Sequence, residues 1–141
     1  KLSKSYLERL SSMNTALVLI LIGSLRITSY RSVESQTDGS PYITSTGERT
    51  SPDGIAISQD LLCKDCLRLH RRCKRPVGST LHYGDWVYIG EVGLKRVNDV
   101  MNKRHKKRMD VWVRSLLEEQ RFHKRFGKVA LKVYKLTEVT K

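Results

Sequence analysis

Residues 94–126 read LKRVNDVMNKRHKKRMDVWVRSLLEEQRFHKRF, and how this stretch folds decides the architecture of the chain. Leu94, Val97, Met101, His105, Met109, Trp112 and Leu116 recur at intervals of three and four, the period of a helix that buries one face. The spacing predicts a long basic amphipathic helix, with a break near Asn102 and Gly127 as its stop signal.

On either side the period changes to that of strands. Upstream, LHYGDWVYIGEVG (81–93) is rich in aromatic and β-branched residues and punctuated by glycine, which predicts a strand or hairpin. Downstream, Val129, Leu131 and Val133 alternate with Lys132 and Tyr134, as in a half-buried strand. The expected fold is therefore α+β: a small single domain with a C-terminal hairpin, the long basic helix and a final strand, plus an extended polar N-terminal arm.

The remaining chain divides on composition. Residues 1–23 are expected to form a short helix and an apolar segment, 24–56 a polar loop or flexible arm rich in Ser, Thr, Gly and Pro, and 57–141 the basic α+β domain. Within the last, Ser58 is placed to cap a helix that runs to Arg75 before Pro76, with Leu62, Cys66, Leu69 and Cys73 on one stripe. The apolar run TALVLILIG (15–23) is too short for a membrane-spanning helix, which needs about 20 residues. It reads as a retained core strand or short buried helix, or as a signal-peptide core.

Charge supplies the functional signal. The 141 residues carry 27 Lys and Arg against 14 Asp and Glu, a formal net charge of +13. All of this excess falls in 64–75 and 95–128. A small domain so charged implies a polyanionic partner. In the first segment the candidate binding residues are Arg68, Arg71, Arg72, Lys74 and Arg75. In the second they are Lys95, Arg96, Lys103, Arg104, Lys106, Lys107 and Arg108, with Lys124 and Arg125 further on.

Phosphates of RNA, or of another polyanion, fit these residues, because each neutralised phosphate releases a counterion. RNA is favoured over DNA because no DNA-reading motif is present. A solvated helix face is the plainer reading of such a charge run. The Lys-Arg-x-Lys string at 103–106 also satisfies a simple nuclear-import pattern.

Cys63, Cys66, His70 and Cys73 form the second constellation, four zinc-ligand types within a short span. One unbroken helix would spread Cys63 and Cys73 about 15 Å along its axis, too far for a single ion. The segment is thus a knuckle holding one zinc ion, or two of these residues join a ligand from elsewhere, for which His82, His105 and His123 are the candidates; otherwise it is a buried helix face whose thiols act as small hydrophobes, or a redox pair at Cys63 and Cys66. Three cysteines cannot build the even-numbered disulfide framework of a small secreted scaffold.

Catalytic signatures are sparse: Asp85 and Asp110 have no carboxylate neighbour in sequence, and no phosphate loop or nucleophile elbow occurs. The expectation is a non-enzymatic nucleic-acid-binding protein, intracellular and working with protein partners in a larger assembly, without an integral membrane segment. The alternative is a secreted cationic ligand for an acidic receptor or glycan; a membrane-surface role for 94–126 is a third.

Overall fold

The computed structural model describes residues 15–33, 42–71 and 80–140. Six strands close into a barrel in the order β1-β5-β2-β4-β3-β6. They are β1 (Thr15–Tyr30), β2 (Gly54–Ile57), β3 (Trp86–Ile89), β4 (Gly93–Val100), β5 (Arg108–Trp112) and β6 (Ala130–Thr140). Two helices accompany them: α1 (Lys64–Leu69), preceded by a 3-10 turn at Gln59–Leu61, and α2 (Leu116–Phe126).

The long helix expected over 94–126 does not form. In its place stand β4, a basic turn, β5 and only then a helix, α2. The turn explains the difference. The Asn102 side chain accepts a hydrogen bond from Arg104 N at 3.0 Å, its carbonyl accepts from His105 N at 3.1 Å, and Lys107 takes a left-handed conformation at φ 49°. Asn competes in this way for nearby backbone donors, closing a turn rather than propagating a helix. Val97, Val100 and Val111 then satisfy strand geometry, where β-branched side chains pack well. The periods of helix and strand overlap here because Val97, Met109 and Val111 face the core from two different strands.

The core lies inside the barrel. Ile27, Ile55, Ile57, Val87, Ile89, Val97, Met109 and Val133 are completely buried, and alternate residues of each strand face outward. The turn and helix α1 cover part of this core: Leu62, Cys66 and Leu81 belong to the same apolar cluster. Helix α2 starts on a Ser115 cap whose hydroxyl accepts from Glu118 N, and it buries Phe126 against the core with Phe122 packed 4.9 Å away.

Strand β1 changes partner along its length. Thr15–Arg26 pairs antiparallel with β6, and Arg26–Tyr30 pairs parallel with β5. The apolar run is therefore strand, continuing through residues 24–30 into the stretch expected as loop. Its first half leaves Val18, Leu19 and Leu21 exposed. The helix expected over 59–75 is broken, since α1 ends at His70 in a left-handed cap at φ 52°. The short helix expected ahead of the apolar run lies outside the described residues. Among the described residues no helix is long and apolar enough to cross a membrane.

One irregularity controls what the barrel displays. Ile55 pairs with Val97, but Ala56 pairs with Asp99, so Asn98 is an extra residue in β4. Such a bulge flips the alternation that follows it. Without it Asp99 would share the inward face of Val97; with it Asp99 stands outside, level with Ala56. Asn98 is buried against Gly54, where a β-carbon would meet its side-chain nitrogen at 2.7 Å and oxygen at 2.9 Å. Gly54→Ala is expected to push the bulge out of register and destabilise the fold by about 1–3 kcal/mol. Urea unfolding measures this, and an unchanged midpoint would show that Asn98 can move aside.

Candidate acid–base site and metal-binding group

The bulge completes a row of residues across four strands. Thr28 pairs with Asp110, Asp110 with Ala56, and Ala56 with Asp99. Paired residues share a face, so two carboxylates flank one small side chain on the outside of the barrel. Two strand spacings put their Cα atoms about 10 Å apart. Tyr30 belongs to the same face, packing with Ala56 and Met101 and with Trp112 against them.

Each group is held by specific partners. Asp99 Oδ1 accepts hydrogen bonds from Ser45 N at 3.0 Å, Ser45 Oγ at 2.6 Å and Val100 N at 2.9 Å, and Tyr30 OH donates to Oδ2 at 3.4 Å. The segment bearing Ser45 is tied down by an Arg96–Glu48 ion pair and by Thr46 Oγ1 donating to Asn98 O at 3.2 Å. Asp110 Oδ1 accepts from Thr28 Oγ1 at 2.9 Å. Arg31 Nε, 3.1 Å from Glu119 Oε1, anchors α2 beside this row.

Burial raises the Asp110 carboxyl from 3.8 to about 6; the Thr28 hydrogen bond and Arg108 pull it down, while Glu119 and Asp99 push it further up. Burial also drives the Tyr30 phenol far above its ordinary value, with the Asp99 and Asp110 charges adding to the effect. Tyr30 therefore remains a hydrogen-bond donor at any physiological pH. A cavity of about 390 Å³ between β1 and α2 is lined by Thr28 and Glu119, both neighbours of Asp110. A carboxyl whose hold on its proton is strengthened by burial, two strands away from a second carboxylate, has the features of a site for acid–base chemistry.

Among the described residues, Cys63, Cys66 and His82 also come together, their ligand atoms all within 4.8 Å of one another. They lie close enough to hold a metal ion. Cys63 caps α1, Cys66 is one turn on, and His82 arrives through a parallel bridge between Leu62 and Leu81. Of the four ligands expected from sequence, His70 is the exposed helix cap outside this group, and Cys73 lies outside the described residues. His82 took the place that spacing had assigned to His70, because the strand bridge adds a contact that local spacing does not show.

The basic residues separate into two sets. Lys103, Arg104, Lys106 and Lys107 are exposed in the β4–β5 turn. Arg68, Arg71, Lys124 and Arg125 are exposed as well, with Arg68 3.3 Å from Asp65 and Arg125 3.9 Å from Glu91. Lys95 Nζ donates to Pro52 O at 2.7 Å, Arg96 pairs with Glu48, and Arg108 Nη1 donates to His105 Nδ1 at 3.0 Å. These last three serve the fold. Arg72, Lys74 and Arg75 lie outside the described residues.

No family model and no curated protein matches this chain.

The acid–base pair was missed in sequence because its members are eleven positions apart and meet only across β2. A signal was nonetheless present: Asp is depleted in strands, yet Asp99 and Asp110 each precede a valine in apolar, β-branched surroundings.

Proposed function

We propose that this protein is an acid–base enzyme that cleaves glycosidic bonds in an anionic glycan polymer, with Asp110 as the proton donor. The observation that carries this reading is the row Asp110–Ala56–Asp99, in which one carboxyl is pushed up to about 6 beside a second carboxylate. Glycosidic cleavage is a reaction that two carboxyl groups can perform unaided. One protonates the leaving oxygen and the other stabilises positive charge or directs water, across a gap of roughly 5–9.5 Å.

The two Cα atoms stand about 10 Å apart, two strand spacings, with both side chains on one face. Asp110 protonates the glycosidic oxygen as its bond to the anomeric carbon breaks, Asp99 faces the oxocarbenium ion so formed and takes the proton of the water that adds to it, and the Tyr30 hydroxyl donates a hydrogen bond to Asp99. The exposed cations at 103–107 supply attraction for an anionic chain.

Incubating the full chain with anionic glycan polymers is expected to yield shorter saccharides with new chain ends in the mass spectrum. Polymers recovered intact between about pH 5 and 7, where such an acid operates, would set the reading aside.

A second reading, binding of RNA without catalysis, is favoured by one observation: Lys103, Arg104, Lys106 and Lys107 are exposed together on a single turn. In that case affinity falls steeply with salt, and replacing the four by Gln flattens the log–log slope by about 3. Filter binding at several salt concentrations measures it; a slope unaffected by the four substitutions would exclude the turn as the contact.

The thiolate–imidazole group reads as a holder of one zinc ion. Two soft sulfur donors with one imidazole select zinc over magnesium or calcium, which take oxygen ligands.

A further inference from the structure

We infer that Asp85 and Lys135 form the outer shell of the zinc group, Asp85 acting as a positioning residue that turns the His82 ring so that Nε2 faces the two thiols; this rests on the zinc reading given above. The surroundings of His82 support it. Asp85 Oδ2 lies 3.6 Å from His82 Nδ1 and accepts a hydrogen bond from His82 N at 2.9 Å. Asp85 N donates to His82 O at 3.1 Å, so the two residues close a tight turn on each other. A carboxylate at one ring nitrogen fixes the tautomer and leaves the other to bind metal.

Lys135 extends the arrangement into the barrel wall. Its ammonium is 3.9 Å from Asp85 Oδ2 and donates to Thr80 O at 2.9 Å. His82, Asp85 and Lys135 are 0, 2 and 3 % exposed, and Cys66 is 0 %. Charges this deep must balance. Zinc with two thiolates is neutral, and Asp85 with Lys135 is neutral, so the full set carries no net charge.

The backbone around the group is also prepared. Cys63 N donates to Leu81 O at 2.8 Å and Leu81 N to Leu61 O at 3.2 Å, fixing the two ligand-bearing segments side by side. A metal here staples the segment over the barrel end, 59–69, to the approach to β3.

The test uses the full chain, purified under reducing conditions. Zinc near one per chain is expected by elemental analysis, and Co2+ in its place should give the intense visible bands of a tetrahedral thiolate site. Asp85→Asn is expected to weaken Co2+ binding about 10- to 100-fold. In a His82→Cys background, where no imidazole needs orienting, the same Asp85→Asn change should leave binding within about twofold, with circular dichroism confirming the fold of each variant.

Metal-free protein, or a Cys63–Cys66 disulfide resistant to metal after reduction, would overturn the zinc reading itself. Metal bound normally, with Asp85→Asn costing nothing or costing the same in both backgrounds, would overturn only the positioning role. If Asp85→Asn does not fold alone, Lys135→Met provides the second variant: it should lower affinity with His82 present and not with Cys at that position, and equal losses would count against the role.

Discussion

Asp110→Asn is expected to reduce glycan cleavage by about 10²- to 10⁴-fold, the usual contribution of a positioned general acid, while leaving the barrel intact. Asparagine keeps the shape of the side chain and an oxygen to accept the Thr28 hydroxyl, which donates to Asp110 Oδ1 at 2.9 Å. It removes only the exchangeable proton. The wild-type rate should accordingly decline as pH rises through about 6, where Asp110 loses that proton. The high-pH limb should be absent from whatever residual rate the variant retains. Initial rates of new chain ends, measured for both proteins across pH, check this. A variant with wild-type turnover would remove Asp110 from the chemistry.

The same substitution is expected to stabilise the protein at neutral pH. Asp110 binds its proton more tightly in the folded state, at about 6, than a carboxyl at its ordinary 3.8. Stability is thus undiminished below about pH 4 and falls as pH rises through about 6, the reverse of a salt-bridged carboxylate. The difference between 3.8 and about 6 corresponds to about 3 kcal/mol once the group is fully ionised. The amide of the Asp110→Asn variant does not ionise and carries no such penalty, so the gap between variant and wild type should be near zero at about pH 4 and approach about 3 kcal/mol at about pH 7. Urea unfolding at the two pH values measures it. A gap that is the same at both would show that burial does not oppose ionisation of Asp110. Loss of activity joined to a gain in stability is the pattern expected where function maintains a destabilised group.

These expectations depend on features that sequence carries unequally. The C-terminal strand and the hairpin region were legible, because local alternation of Val, Leu, Ile and Tyr reports a half-buried strand directly; the apolar run 15–23, which does not alternate, left strand, short buried helix and signal-peptide core open. The stretch 94–126 was not. Apolar residues of β4 and β5 happen to recur at three and four positions, and the Asn102 turn that separates them is expressed through backbone hydrogen bonds and one left-handed residue, Lys107. Misreading that turn converted a barrel into an α+β unit with a long helix.

The site suffered from the same limitation. Cys63 and Cys66 were recognisable from their spacing and His82 as one of three histidines that could join them, but the choice of His82 among the three depends on the Leu62–Leu81 bridge. Asp99 and Asp110 become neighbours only because β2 lies between their strands and the Asn98 bulge rotates Asp99 outward. Neither the strand order nor the bulge has a local signature. The basic residues of both segments were read as contacts for a polyanion, but Lys95, Arg96 and Arg108 also make hydrogen bonds or ion pairs within the fold, since an aliphatic stem ending in a charge can serve packing as well as binding.

Carbon-detected NMR titration of the side-chain carboxyls in the full chain tests the acid–base pair most directly. The Asp110 resonance is predicted to titrate at about 6, and to move to lower pH when Asp99 is replaced by Asn and its charge no longer opposes ionisation. An Asp110 carboxyl that titrates at about 4, the ordinary range for aspartate, and ignores the Asp99 substitution would contradict the account.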